Sequence, residues 1–377
     1  MTNFPLVKDL TEGGRRLPIE SDGSPVYDLI LTIWQVFDES EDDSAFELGR
    51  DWFESVAEAT PSDLAAELVY LGGAGCSVWL GLMGLIASSP HPHDIDSVLS
   101  HLAGMDPLYL RRTLLGYKLD DDRIPAEQID RAAAGDKEAL EQLLASAHLT
   151  EDPAIGARYR QVFGLAGTEL RDRIVVALRR FREEVYHPFE QEFGPATIRA
   201  AAARRALVRG AEVEAVIEEV TNGLDYRIQP GVGRVVLVPS VVLRPWALID
   251  KHNQTLVVGY PVADEFIDAD PDAPPSWVVK LHKALGDEKR LRILRRLSES
   301  GATLDDLADM LGLSKSTVHH HVGQLRAAGL VRVRVESDDH QKKYNLRPSV
   351  LFDARQTLDD YLGAAGGLST TPRSEQR

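Results

Sequence analysis

Cysteine is almost missing from this chain. Cys76 is the single one among 377 residues, which excludes an internal disulfide and any metal site built from several thiolates. The N-terminal stretch "MTNFPLVKDLTEGGRR" lacks the basic-then-apolar order of a secretory signal, so a reducing, cytoplasmic location is expected. Long apolar runs are also scarce. The one uncharged run, Leu68–Pro90, is interrupted by five glycines and has no flanking cluster of Lys or Arg. It is read as two buried helical pieces joined at Gly72-Gly73-Ala74-Gly75 rather than a membrane span. The signatures of catalysis are missing too. "GGAGC" has neither the order nor the downstream Lys of a phosphate loop, and His187 in "YHPFE" has no evident nucleophile or acid beside it. The expectation is a protein that is not an enzyme and carries no cofactor or metal.

What is present is an uneven distribution of charge. The net charge is −17, but residues 277–346 hold 13 basic and 9 acidic side chains while residues 1–276 hold 25 basic and 46 acidic. A basic C-terminal module on a strongly acidic body points to a polyanion partner for one part only.

The expected fold class is mainly α with small β elements. Residues 1–263 read as a mostly helical N-terminal domain that ends in a small β element at about 224–262, where "DYRIQ", "RVVLVPSVVL" and "QTLVVGYP" form short extended runs separated by Gly, Pro and Asn. Residues 264–275 are acidic and proline-rich and read as a linker, 276–362 as a compact module and 363–377 as a flexible tail. Within the first domain, His91 and His93 in "PHPHD" have metal-like spacing, but Asp94 as the N-cap of the next helix is the preferred reading. The clusters Arg179/Arg180/Arg182 and Arg204/Arg205/Arg209 read as solvated helix faces. Arg244, Trp246 and Tyr260 either line a ligand pocket or pack in the core, and core packing is favoured.

In the module the local signals are dense. Asp287 is placed to cap "EKRLRILRRLSES", Thr303 and Asp306 have the spacing of a capping box, and Ser314 caps a helix that Gly329 ends in a left-handed position. Two short helices around a Gly-containing turn make a helix-turn-helix. At 100° per residue, Val318, Val322 and Leu325 share one arc of the second helix. Ser316, His320, Gly323 and Gln324 lie opposite, with Thr317 and His319 at the edges and His321 beside the apolar arc. This outward face suits the base edges of a DNA major groove, and Lys315 and Ser316 at the helix N-terminus can hold phosphate. The three consecutive histidines cannot share a metal, because neighbouring helical residues diverge by about 100°. His319 and His320 are expected on DNA with His321 structural, the alternative being that all three read DNA. "LVRVRVES" and "KKYNL" make a β-hairpin at 330–346 whose Arg332, Arg334, Lys342 and Lys343 can reach the DNA backbone.

The stretch "ALGDEKRLRILRRLSESGATLDDLADMLGLSKSTVHHHVGQLRAAGLVRVR" resembles the winged helix-turn-helix of ArsR/SmtB-type transcriptional regulators, over about 70 residues. The resemblance implies a homodimeric operator-binding domain with residues 315–328 as recognition helix and 315–324 as its reading part. The preceding region is similar to a helical domain of uncharacterised role found ahead of such modules in actinobacterial regulators. Two departures stand out. Where metal-sensing members carry a Cys-x-Cys pair, residues 304–311 offer Asp305, Asp306 and Asp309, and the helix after Pro348 lacks the histidines of the family's other zinc site. The wing tip "ESDDHQ" is acidic, so Asp338 and Asp339 would repel phosphates.

The combined expectation is a sequence-specific DNA-binding regulator, acting as a repressor. Its partners would be an operator duplex, a second copy of the chain docking through Val350, Leu351, Leu358 and Leu362, and a small non-metal effector sensed by the N-terminal domain. The alternatives are an interaction or dimerisation domain without a ligand, a metal-responsive regulator, and an enzyme carrying a regulatory module.

Overall fold

Pro25 and Ser24 start the helix that centres the N-terminal body. The Ser24 hydroxyl accepts from the Val26 amide, Pro25 stands in the first turn, and the helix runs Pro25–Phe37 with most of its residues buried. The structure is a computed structural model that describes residues 17–38, 46–73, 78–116, 124–146, 153–207, 212–267, 274, 276–335 and 342–364. The fold is mainly α with small β elements.

The uncharged run becomes two helices, Ser62–Gly72 and Val78–Ala87; residues 74 and 75 of its expected joint lie outside the described residues. Every residue of Val78–Ala87 is buried, which explains why the stretch carries no polar face. Its glycines permit close approach. A Cβ on Gly72 would meet the Trp79 indole at 2.2 Å, and one on Gly84 would meet the His252 Cβ at 2.3 Å. Among the described residues, no helix is long and apolar enough to cross a membrane.

Seven strands are present among the described residues: β1 (Ile19–Ser21), β2 (Leu224–Asp225), β3 (Arg234–Ser240), β4 (Leu248–His252), β5 (Thr255–Pro261), β6 (Val331–Val335) and β7 (Lys342–Leu346). The first sheet has the order β1-β3-β5-β4, parallel except for β4. Its central strands are buried on both faces. Val236, Val238 and Val257 point into the large helical core, while Val235, Leu237, Leu256 and Val258 form a second core with Val213 and Ile217 of the helix Val213–Val220. This is the period-two division of a continuous apolar strand.

The β element differs from the expected one at both ends. Its edge strand, β1, comes from residues 19–21, ahead of all the helices among the described residues. Of the expected strand "DYRIQ", only Asp225 lies in a strand, β2, which leaves this sheet to pair in parallel with β6 of the wing. The second sheet is therefore β2-β6-β7. Gly223, at φ +104°, brings its carbonyl to the Val333 amide at 3.0 Å. The stretch expected to be a linker begins as a short 3₁₀ helix, Asp264–Phe266. Asp264 joins Glu47, Arg244 and Lys280 in an ion-pair cluster between body and module. Burial opposes the charge on Arg244, but the Glu47 and Asp264 carboxylates hold its pKa above the ordinary value.

The Arg clusters are also more than solvated faces. Arg182 bridges Asp96 and Glu190, Arg180 bridges Asp63 and Glu184, and Arg204 reaches Glu219; Arg209 lies outside the described residues. Tyr260 is buried in the core.

In the module, Asp287 caps Glu288–Glu299, Thr303 and Asp306 form a reciprocal capping box on Leu304–Leu311, and Gly312 turns the chain at φ +63°. Ser314 then caps Lys315–Ala327, and Gly329 follows at φ +71°. The hairpin β6–β7 is antiparallel, its tip at 336–341 lies outside the described residues, and the helix Ser349–Ala364 closes the module.

Candidate nucleic-acid interface

The helix Lys315–Ala327 is held by one face. Val318, Val322 and Leu325 are each 0–2 % exposed and pack with Ile293, Leu297 and Leu307 of the two preceding helices. Lys315, Ser316, Thr317, His319, His320 and Gln324 are exposed. Packing of the apolar arc therefore fixes which side chains face outward.

The outward groups are not loose. The Ser314 hydroxyl lies 3.0 Å from that of Ser316 and 2.8 Å from that of Thr317. Lys315 pairs with Asp305 at 2.7 Å, and that carboxylate raises the lysine pKa. Gln324 is held from both sides, since Arg290 donates to its Oε1 at 2.8 Å and its Nε2 lies 3.0 Å from His320 Nε2. That arrangement leaves His320 Nε2 as the acceptor, with Nδ1–H free to donate to another group. Arg290 also donates to the carbonyls of Ala284 and Lys283 at the end of the preceding helix. Sequence reasoning missed Arg290 because its position beside Gln324 depends on how two helices cross.

His321 lies at the edge of the buried arc, its side chain 12 % exposed and Nδ1 4.0 Å from the Asp287 carboxylate. Burial pushes its pKa down. His319 is exposed on one side, and its ring stacks on Trp246 of the N-terminal body, with centroids 6.0 Å apart and planes 11° from parallel.

The wing residues divide. Lys342 is exposed and Lys343 half-buried. Arg332, expected at the DNA backbone, instead pairs with Glu218 at 2.6 Å. The parallel pairing with β2 brings that part of β6 against the body and leaves Arg332 half-buried. Arg334 lies in β6 opposite Lys343; its side chain is outside the described ones. In the closing helix Val350 is buried in the module's own core, which removes it from the expected dimer face. Leu351 and Leu362 are exposed and Leu358 half-buried.

One further cluster has the composition of a metal centre. Asp22, His91 and His93 bring ligand atoms within 4.8 Å of one another. Both ring nitrogens of His93 are already used, Nδ1 by Asp22 and Nε2 by the Ser89 carbonyl at 3.0 Å. Burial opposes both charges, yet their mutual hydrogen bond holds the His93 pKa above its ordinary value and that of Asp22 below. The pair bridges the end of β1 and the loop before Asp94, with both His93 ring nitrogens at hydrogen-bond distance from an oxygen. Asp94 caps Ile95–Gly104, accepting from the Ser97 amide.

Comparison with known proteins gives these surfaces a context. A helix-turn-helix domain model matches residues 285–334. The HTH-type transcriptional regulator KmtR of Mycobacterium tuberculosis is 33 % identical over 121 residues, which cover 30 % of this chain and 93 % of that protein. The chain belongs to the ArsR-type helix-turn-helix transcriptional regulators. An uncharacterized HTH-type regulator of Methanocaldococcus jannaschii, MJ1325, is 38 % identical over 58 residues, 15 % of this chain and 65 % of that one. As a family member the chain is a DNA-binding protein of transcription regulation. The helical body that makes up most of its length lies outside the residues that the domain model matches.

Proposed function

We propose that this ArsR-type regulator reads its operator through the outward flank of Lys315–Ala327. In this reading Ser316, Thr317, His319, His320 and Gln324 meet base edges in the major groove, where a helix fits and donors and acceptors are distinct for each base pair. Lys315 exchanges Asp305 for a phosphate, and Lys342 and Lys343 contact the backbone from the wing, joined by Arg334; Arg332 can do so only after leaving Glu218. The observation that carries the reading is the division of the helix into an inward arc of Val318, Val322 and Leu325 and an outward row of Arg290, Gln324 and His320.

The protein acts in the cytoplasm as a homodimeric repressor, each copy reading one half-site. Its N-terminal body, residues 1–263, serves as the sensor of a small non-metal effector, with 276–362 as the DNA-binding domain.

The test is a fluorescence anisotropy titration with fragments selected from the host genome. His320→Ala should cost roughly 1–3 kcal/mol on the selected fragment and less on unrelated DNA. Lys343→Ala should weaken all duplexes alike and reduce the salt slope by about 0.9. Equal binding by His320→Ala and the unsubstituted chain would show that the helix is not the reading element.

A further inference from the structure

Between the body and the module lies a cavity of about 570 Å3, in the size range of small-molecule sites. Trp34, Phe46 and Trp246 line it from the body, and Arg326, Val333 and Tyr344 from the module. Its chemistry runs against that of the whole chain. The protein carries a net charge of −17, but the cavity lining includes two cations, Arg326 and Lys342, and no Asp or Glu. The Arg326 guanidinium lies 5.3 Å from the centre of the Trp246 ring. No carboxylate among the described residues pairs with it, and burial lowers its pKa. A half-buried cation that pairs with no carboxylate among the described residues, set among aromatic walls, is the complement of an apolar molecule with an anionic head.

The cavity is bounded by the recognition helix itself. Trp246 stacks on His319 and lies against Gly323, where a Cβ would come within 3.0 Å of the indole. By angle His319, Gly323 and Arg326 form one flank of that helix. A helix about 10–12 Å across fills a major groove about 12 Å wide. The indole and its loop cannot stay beside it when it enters. Docking of Trp246 and insertion into DNA therefore exclude each other, and a ligand touching both walls favours the docked arrangement.

We propose that this cavity binds a small aromatic or aliphatic carboxylate, whose anionic end pairs with Arg326, and that the ligand-filled arrangement withholds the recognition helix from DNA. The regulatory half rests on the DNA-reading role proposed above; the ligand half does not. By reciprocity, the factor by which the carboxylate weakens DNA binding equals the factor by which DNA weakens carboxylate binding.

The full chain tests this with 2-naphthoate, indole-3-acetate and decanoate, each paired with its neutral amide and read by calorimetry and thermal shift. At least one carboxylate should bind at a single site, about tenfold tighter than its amide, and Arg326→Met should remove that preference. The same carboxylate should weaken, by about five- to tenfold, binding to a duplex enriched from a random pool by Trp246→Ala protein. Trp246→Ala itself should bind that duplex at least severalfold tighter than the unsubstituted chain. Should either variant fail to fold, amide exchange on the unsubstituted chain decides: the carboxylate should slow exchange in residues 244–249 and 319–326, and duplex should speed it in 244–249. No binding by any carboxylate, or equal binding of acid and amide, overturns the site. A bound carboxylate that leaves duplex affinity unchanged overturns the coupling. If no form of the protein binds DNA while the acid preference holds, the DNA reading fails and the ligand site stands.

Discussion

Replacing Leu325 with Ala tests the orientation of the recognition helix through stability alone. Leu325 is fully buried and sits with Val318 and Val322 against the helices Glu288–Glu299 and Leu304–Leu311. Its carbonyl also accepts from the Leu330 amide at 2.9 Å, which fixes the turn into the wing. Leu→Ala changes in cores cost about 2–5 kcal/mol, more where the surroundings cannot close on the cavity. A site enclosed by two helices and a hydrogen-bonded turn has little room to collapse, so about 3 kcal/mol is expected. At 1.36 kcal/mol per tenfold, that is roughly 150-fold. Amide hydrogen exchange measured by mass spectrometry reads this locally, whatever the unfolding behaviour of the larger body. Amides of residues 318–328 should exchange roughly 150-fold faster in Leu325→Ala. Gln324→Ala, one residue away but exposed, should change the same amides by less than about 1 kcal/mol. A cost below about 1 kcal/mol at Leu325, or an equal cost at both positions, would refute the inward arc and the outward face derived from it.

Three other outcomes follow from particular contacts. Glu218→Ala frees Arg332 from its ion pair, so duplex binding should tighten a few-fold and its salt slope steepen by about one; an unchanged slope in anisotropy titrations would show that Arg332 never reaches phosphate. If the proposed homodimer docks through the closing helix, Glu substituted at both Leu351 and Leu362, its exposed leucines, should reduce the light-scattering mass from twice 41.6 kDa to that of one chain; a dimer that persists rules out this face. Asp28 is fully buried, and burial raises its pKa to about 6 even though the Ser240 hydroxyl and the Val241 amide donate to it. Its folded pKa exceeds the unfolded value, so the native state binds the extra proton. The stabilisation this gives is complete below about pH 4 and is lost as pH rises through 6. Denaturant titrations should therefore show this pH dependence flatten in Asp28→Asn, and an unaltered profile would assign it elsewhere.

The elements legible in the sequence are those fixed by short-range chemistry. Asp287, Thr303 with Asp306, Ser314, Gly312 and Gly329 each satisfy or end a helix within four residues, so their roles can be read without knowing the fold. The inward arc was equally legible, because helical periodicity places Val318, Val322 and Leu325 together wherever the helix packs. What stayed hidden depends on contacts far apart in the chain. β1 is only three residues long and gains its identity from β3, more than 200 positions later. β2 joins the wing because the Gly223 backbone can approach Arg332 closely, and the same approach carries Arg332 to Glu218. Trp246 carries no local mark of its place beside His319, nor Asp22 of its pairing with His93. The N-terminal body therefore yielded its helices to sequence reasoning, but not its contact with the module.

The most direct measurement of the central claim is selection of duplexes from a random-sequence pool by the full chain, repeated with His320→Ala. If the outward flank of Lys315–Ala327 reads bases, the two proteins should enrich motifs that agree in half-site spacing and differ at one or two adjacent positions. Identical motifs enriched to the same extent would contradict the account.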